Sequence, residues 1–255
     1  MYNSTPRLTV VGAGPGDEDL ITLKAVKVLK DADIVLYDAL VNPLLLKHAK
    51  QAKHIFVGKR KGYQRFSQDE INDLIVKYAI GFGHVVRLKG GDSFVFGRGA
   101  EEMEYATQHG LETDMVPGIS SSLAVPALQN IPLTKRGSAE SFWVITGTTK
   151  NRTLSKDVAL ASKSTATVVI LMGMSKLPEI TALFKLAGKA KLPVAIIQNG
   201  TTLQEKIAVG TIATIEEEVR KNGLSNPAVI VIGEVVKHRT QLNLIQEKVY
   251  VKSLL

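Results

Sequence analysis

The residues best suited to binding a ligand lie in a glycine-rich segment that reads RLKGGDSFVFGRG over residues 87–99. Its two adjacent glycines can expose main-chain amides and carbonyls to a bound molecule. Asp92 can accept hydrogen bonds from a hydroxyl pair or a cationic group. Asp92 could equally cap the turn that follows it, and Arg98 could be an ordinary surface arginine. The segment indicates a ligand site but does not identify the ligand.

A second glycine-rich segment, GAGPGD over residues 12–17, lies between an apolar run and a helical pattern. A dinucleotide-binding loop would need a third glycine or an alanine at position 17, where the helix packs closely on the strand, and this chain has Asp17. Pro15 also removes a backbone donor that a pyrophosphate would use. We interpret the segment as a tight turn that lets another group approach its backbone, and an NAD-dependent oxidoreductase is disfavoured.

A third segment, VPGISSS over residues 116–122, joins an apolar run to a helical pattern. Ser120 or Ser121 could cap that helix or meet a polar ligand at its positive end. Both roles remain open at this stage.

Apolar, β-branched runs in the first half of the chain predict strands at 8–11, 34–37, 54–57, 85–88 and 113–116. Helical patterns separate them: Ser67 and Glu70 form a capping box, and Gly110 stands where a helix over 100–109 would need a left-handed residue. Apolar strands alternating with helices predict a mainly parallel sheet covered on both faces. Ligands then bind at the carboxyl ends of its strands.

The rhythm changes near Gly137, after which the strands at 142–146, 167–172, 194–198, 207–209 and 229–232 are separated by only about three helical stretches. A hairpin-rich, mixed sheet fits this pattern. We therefore predict two α/β domains, 1–137 and 138–255, with the boundary in a polar, glycine-containing stretch.

The composition sets broad limits on function. The chain has 255 residues, 45% of them hydrophobic, no cysteine and a formal charge of +8. The absence of cysteine excludes disulfides and cysteine-ligated metals, and the positive charge favours anionic partners. No long apolar run or secretory leader stands out, which predicts a cytoplasmic protein without a membrane partner.

Several segments together resemble the tetrapyrrole methylases, and most closely the uroporphyrinogen-III C-methyltransferase family. They occur in the order GAGPGDEDLITLKA, YDALV, RLKGGDSFVFGRG, VPGISS, NIPLTKRG, LMGM, QNGT and PAVIVIGEVV. The similarity covers roughly residues 7–240. RLKGGDSFVFGRG is the most discriminating stretch, and the agreement of several motifs in order makes the resemblance specific.

The resemblance implies a two-lobed fold, a homodimer, and S-adenosyl-methionine bound without metal in the cleft between the lobes. The implied cofactor contacts are Pro15, Gly90, Gly91, Asp92, Val95, Phe96, Ser120, Ser121, Met172, Asn199, Gly200, Thr201, Pro227 and Ala228. The implied substrate contacts are Lys59, Arg60, Arg98 and Arg136, and Asp38 of the YDALV segment is the implied catalytic carboxylate, which would stabilise the developing charge or accept a proton.

The activity implied by the resemblance is methylation of uroporphyrinogen III at C2 and C7, giving precorrin-2 through precorrin-1 for sirohaem or cobalamin biosynthesis. Two positions depart from the family pattern: Ser93 replaces a usual proline, and Lys135 a common histidine. The chain ends near the last motif, so we expect oxidation and metal insertion to occur elsewhere.

Two alternatives stay in view. One is another enzyme of the same superfamily, acting on a later corrin intermediate, a diphthamide precursor or ribosomal RNA ribose; RLKGGDSFVFGRG argues against it. The other is a non-catalytic anion-binding protein, which the positive charge alone would allow. The basic residues form only short clusters, so we expect no nucleic-acid partner.

Overall fold

A computed structural model of the chain describes residues 5–58, 66–239 and 241–242. The described residues form two compact units, one up to Ser121 and one from Ser122 onward. This division differs from a boundary after residue 137, because Val125 and Ile131 pack in the core of the second unit against Val169 and Ala195. No helix in the described ranges is long and apolar enough to span a membrane.

The first unit is built on a five-stranded sheet in the order β3-β2-β4-β1-β5, with all neighbouring strands parallel. The predicted parallel sheet is confirmed. Its strands are β1 (Arg7–Gly12), β2 (Ile34–Tyr37), β3 (Lys53–Phe56), β4 (His84–Lys89) and β5 (Glu112–Val116). Its helices are α1 (Leu23–Lys30), α2 (Gln68–Phe82) and α3 (Gly99–Gln108), with short 3-10 helices at Glu18–Leu20 and Pro43–His48.

Both faces of this sheet are covered, because successive side chains of a strand point to opposite faces. In β4, Val86 packs in a cluster with Leu29 of α1. Its neighbour Val85 packs on the other face, in a cluster with Ile75 of α2 and Ala106 of α3. Helices on both faces leave the strand ends as the accessible part of the sheet.

Local sequence signals set the helix ends as predicted. The Glu70 amide donates to the Ser67 hydroxyl at 3.1 Å, and the Ser67 amide donates to the Glu70 carboxylate at 2.6 Å, which confirms the capping box of α2. Gly110 follows α3 with φ at +80°, the left-handed conformation expected of it.

The second unit contains a five-stranded mixed sheet in the order β6-β7-β10-β8-β9. Only β6 and β7 pair in parallel, and the other pairings are antiparallel, as the prediction of a mixed sheet required. Its strands are β6 (Phe142–Thr146), β7 (Thr167–Leu171), β8 (Pro193–Gln198), β9 (Lys206–Thr211) and β10 (Ala228–Ile232). Its helices are α4 (Ser121–Leu128, which starts at the boundary), α5 (Asp157–Ala161), α6 (Leu177–Leu186) and α7 (Ile215–Lys221), with a 3-10 helix at Met174–Lys176.

Candidate active site

The glycine segments of the first unit meet at the carboxyl edge of its sheet. Gly14, just after β1, and Gly91, just after β4, exchange two backbone hydrogen bonds, of 3.2 Å and 2.7 Å. The Ala13 amide donates to the Lys89 carbonyl at 2.7 Å, so the pairing of β1 with β4 continues into the two loops. Pro15 lies half-buried beside this bridge.

A third loop packs against the same place. A Cβ added to Gly12 would lie 2.4 Å from the Gly118 nitrogen, and one added to Gly118 would lie 2.3 Å from the Gly91 carbonyl oxygen. Real Cβ atoms do not approach backbone so closely, so these glycines are required for packing. The close approach expected at residues 12–17 is therefore made by the loops after β4 and β5.

Asp92 ties two of these loops together. One carboxylate oxygen accepts from the Phe94 amide at 2.8 Å, and the other accepts from the Gly118 amide at 3.0 Å. The turn-capping role considered for Asp92 is therefore present. Each oxygen has a second lone pair, so the same carboxylate can still accept from a ligand hydroxyl.

The loop between β4 and α3 presents an apolar surface. Phe94, Val95 and Phe96 are exposed, while Ser93 is fully buried. The Ser93 hydroxyl finds no hydrogen-bond partner within the described ranges. Adjacent exposed aromatic and aliphatic side chains suit a flat, partly apolar ligand such as a nucleoside base.

The start of α4 borders the same loop. A Cβ placed on Gly91 would lie 3.7 Å from the Ser121 nitrogen and 4.0 Å from the Ser120 Cα. Ser120 is buried and Ser121 is half-buried. The structure thus brings Pro15, the Gly90–Asp92 loop and both serines to one edge of the first sheet.

Asp38 lies at this edge as well, directly after β2. One of its oxygens accepts from the Leu40 amide at 3.0 Å, and the other lies 3.8 Å from Nη2 of Arg87. A Cβ added to Gly90 would lie 2.7 Å from the Leu40 Cβ, so the Asp38 segment packs directly on the glycine loop.

A buried group of charges lies next to Asp38 and was missed by the sequence analysis. Arg87 and Lys89 alternate along β4 and share one carboxylate oxygen, Oε1 of Glu102 in α3, at 3.1 Å and 3.0 Å. Burial lowers the pKa of Lys89, and the neighbouring Arg87 charge lowers it further. The available signal was two cations at alternate positions of an otherwise apolar strand.

The second unit places its predicted residues at one end of its own sheet. Met172 follows β7 and Asn199 follows β8, while Ala228 begins the antiparallel strand β10 between them. The Asn199 amide donates to the Pro227 carbonyl at 3.0 Å. Met172 has φ at +56° and is 49% exposed, so its side chain is not packed in the core.

The turn after β8 is tightly held. A Cβ added to Gly200 would lie 2.5 Å from a methyl carbon of Val125, and the Thr201 amide donates to the Glu205 carboxylate at 2.8 Å. Asn199 and Thr201 both have positive φ. This conformation turns the backbone sharply at the strand end.

The predicted substrate cations have different surroundings. Arg98 directly precedes α3 and donates from Nε to both carboxylate oxygens of Glu101, at 3.0 Å and 3.1 Å, and this bonding raises the pKa of Arg98. Arg136 is exposed and belongs to the second unit. Lys59 and Arg60 lie outside the described residues.

Comparison with known proteins identifies the class of protein. The family of tetrapyrrole (corrin/porphyrin) methylases matches residues 7–216. The chain belongs to this family.

Its relatives within the family carry more specific names. A uroporphyrinogen-III C-methyltransferase of Methanocaldococcus jannaschii is 45% identical over 235 residues, covering 91% of this chain and 97% of the relative. A siroheme synthase of Nitrosomonas europaea is 40% identical over 240 residues, covering 93% of this chain but 50% of the relative. The chain thus spans about half the length of that synthase.

Solved structures agree with this fold. The uroporphyrin-III C-methyl transferase of Thermus thermophilus, complexed with S-adenyl homocysteine, has a TM-score of 0.78 and 35% identity and covers 91% of this chain and 99% of its own. A cobalt precorrin-4 methyltransferase has a TM-score of 0.80 and 27% identity, covering 90% and 95% of the two chains.

Proposed function

We propose that this chain methylates uroporphyrinogen III at C2 and C7, using S-adenosyl-methionine and giving precorrin-2 through precorrin-1. The observation that carries the proposal is the 45% identity, over nearly the full length of both chains, to a uroporphyrinogen-III C-methyltransferase. The retained RLKGGDSFVFGRG segment forms the loop at the carboxyl edge of the first sheet, where ligands of parallel α/β sheets bind.

The residues present fit the cofactor. The half-buried backbone at Gly90 and Gly91, which carries no side chain, suits close approach of its amino-acid part, and Asp92 suits the ribose hydroxyls. Val95 and Phe96 offer an exposed apolar surface for adenine, next to Ser120 and Ser121. When bound, S-adenosyl-methionine supplies a methyl group on a positively charged sulfur.

Residues of the second unit are proposed as the other part of this cofactor site. Met172, Ala228 and the 199–201 turn gather at one end of the mixed sheet, where Met172 exposes a polarisable side chain. The Asn199, Gly200, Thr201 and Pro227 backbone lies beside it.

The protein contributes to the reaction by aligning the two reactants and by stabilising the charge that develops on the ring. Well-oriented intramolecular reactions reach effective molarities of about 10⁵–10⁸ M, which is ample for methyl transfer to an electron-rich carbon. Methylation leaves a cationic ring that must lose a proton. Asp38 is proposed to stabilise that charge and accept the proton on the oxygen not bound by the Leu40 amide.

The acid groups around the substrate rim are proposed to bind basic side chains. Arg98, Arg136, Lys59 and Arg60 are the candidates, and the +8 charge of the chain assists capture of a polyanion. Arg98 would then exchange or share its bond to Glu101. The planar guanidinium of arginine can donate two parallel hydrogen bonds to one carboxylate.

The remaining expectations are a homodimer and a cytoplasmic enzyme whose product enters sirohaem or cobalamin synthesis. Relatives named siroheme synthase support the first of these two pathways. A later-corrin or RNA substrate is the alternative within the family.

Incubating the protein, under reducing conditions, with uroporphyrinogen III and methyl-labelled S-adenosyl-methionine tests the proposal. We expect label in the tetrapyrrole fraction and none in ribosomal RNA fragments added separately. Only an RNA substrate would bind with a steep dependence on salt. Label in RNA alone, or none anywhere, would refute the proposal.

A further inference from the structure

The buried charge cluster, defined as Arg87, Lys89 and Glu102, is arranged in an unusual way. All three side chains are buried, and one oxygen, Oε1 of Glu102, accepts from both cations and from Nε2 of Gln68. The other oxygen, Oε2, has no hydrogen-bond partner within the described ranges. Burying charges is costly, and an apolar replacement is often at least as stable. Stability alone therefore gives no reason for this cluster.

The cluster fixes the orientation of the Arg87 guanidinium. Its Nε donates to Glu102 at 3.1 Å, and its Nη1 donates to the carbonyls of Leu36 and Leu88 at 3.3 Å and 3.1 Å. These bonds leave Nη2 as the edge that faces Asp38. The gap of 3.8 Å to the Asp38 oxygen is an ion-pair distance, longer than a hydrogen bond.

Without the bond to Glu102, the guanidinium could turn toward Asp38. Arginine and carboxylate prefer two parallel hydrogen bonds of about 2.7–2.9 Å. Such a pair would occupy the oxygen of Asp38 that is not bound by the Leu40 amide. The carboxylate would then be a poorer proton acceptor, because hydrogen bonds to the charged form favour it.

We propose that Glu102 is a positioning residue for methyl transfer, because it holds Arg87 away from a direct hydrogen bond with Asp38. This inference rests on the proposed function, and specifically on Asp38 as the proton acceptor. The methylated ring carbon already carries an acid side chain and has no hydrogen, so the proton that neutralises the cationic ring leaves from a nearby N–H or meso C–H bond. That bond breaks, its electrons return to the ring, and the proton passes to Asp38. Glu102 touches neither substrate nor cofactor in this role and acts through Arg87.

Two variants separate the position of Glu102 from its charge. Glu102→Asp keeps the charge but shortens the side chain, so it loses reach to Arg87. The double variant Lys89→Met/Glu102→Gln removes one buried cation with the anion, so the net charge of the cluster is unchanged, and Gln keeps an acceptor at the same reach. Lys89→Met alone is the matched control for the double variant.

We expect Glu102→Asp to lower kcat about 10- to 100-fold, since small misplacements near a reacting group have effects of this size. The KM for uroporphyrinogen III and the Kd for S-adenosyl-homocysteine should stay within a few-fold of wild type. The double variant should keep the kcat of Lys89→Met within a few-fold. Steady-state kinetics and calorimetric binding measure these quantities.

Each other outcome overturns the inference. Unchanged kcat in Glu102→Asp would show that the position of the carboxylate at residue 102 does not matter. Loss of kcat only in the double variant would show that the charge of Glu102 matters and its position does not. Parallel loss of cofactor binding or of folding would assign Glu102 a structural role. Failure of wild type to transfer methyl groups in the same assay would instead refute the proposed function.

Discussion

Asp38 is the side chain whose surroundings are most informative at the scale of single residues. It has a backbone donor on one oxygen and a cation at ion-pair distance on the other. The YDALV segment predicted its place after a strand. Its neighbour Arg87 could not be predicted as a partner, because contacts between strands depend on sheet order.

Asp38→Asn should lower kcat about 100-fold, because a positioned acid-base group contributes at least that much. Asparagine keeps an oxygen that can accept from the Leu40 amide, so the segment should retain its conformation. Calorimetry should show unchanged affinity for S-adenosyl-homocysteine. Wild-type turnover in this variant would remove Asp38 from the mechanism.

Ser93 offers a test of the loop itself. Its buried hydroxyl has no partner within the described ranges, so Ser93→Ala should raise the free energy of unfolding by about 1 kcal/mol. Ser162→Ala is the matched control, since the buried Ser162 hydroxyl donates to the Ala159 carbonyl at 2.9 Å and its loss should destabilise. Denaturant unfolding measures both, and a destabilised Ser93→Ala would show that the hydroxyl is satisfied.

At the scale of elements, the strands were predicted to within two residues at each end because their apolar, β-branched runs are unambiguous. The ends of β4 show what the prediction of strands captured and what it missed. The run at 85–88 predicted a buried strand, yet its burial extends to His84 and Lys89, whose partners lie on β1 and α3. Polar residues buried by distant partners leave no periodic signal.

The glycine loops give a prediction about packing between elements. Gly12→Ala should cost about 1–3 kcal/mol of stability and weaken cofactor binding, because its Cβ would overlap the Gly118 backbone. Gly81→Ala is the control: a methyl group added to this exposed glycine of α2 would have no atom within 4 Å, so alanine should stabilise by about 0.5–1 kcal/mol. Equal effects at both positions would contradict the packing described.

The amino end of β4 predicts a dependence of stability on pH. Burial lowers the pKa of His84, whose ring nitrogens contact the Thr9 hydroxyl, Arg7 and the Asp31 carbonyl. As the pH falls below about 6.5, the unfolded chain binds a proton before the folded one. The stability that neutral His84 contributes is therefore fully present above that pH. It is lost as the pH falls from there toward the lower pKa of His84 in the folded chain.

Thermal unfolding measured from pH 7.5 to pH 5.5, an interval that spans the ordinary pKa of histidine, should show this loss of stability in wild type. A His84→Gln variant should have a flatter profile over the same range. Profiles of equal slope would mean that His84 does not account for the dependence.

At the scale of the whole molecule, the order of apolar runs and the motif order together indicated the fold. The parallel and mixed sheets follow the predicted change of rhythm, and the carboxyl edge of the first sheet holds the segments singled out from the sequence. The division at Ser121 depends on which core α4 joins. Packing decides that point, and a polar stretch in the sequence does not reveal it.

The central claim is that this chain places methyl groups on the carbons of a tetrapyrrole. The most direct measurement is to treat uroporphyrinogen III with ¹³C-methyl S-adenosyl-methionine under reducing conditions and determine the number and positions of the added methyl groups by mass spectrometry and NMR. We predict two added methyl groups, at C2 and C7, and a product with a single methyl group at one of these carbons that appears first. Methyl groups elsewhere on the macrocycle, or none, would contradict the account.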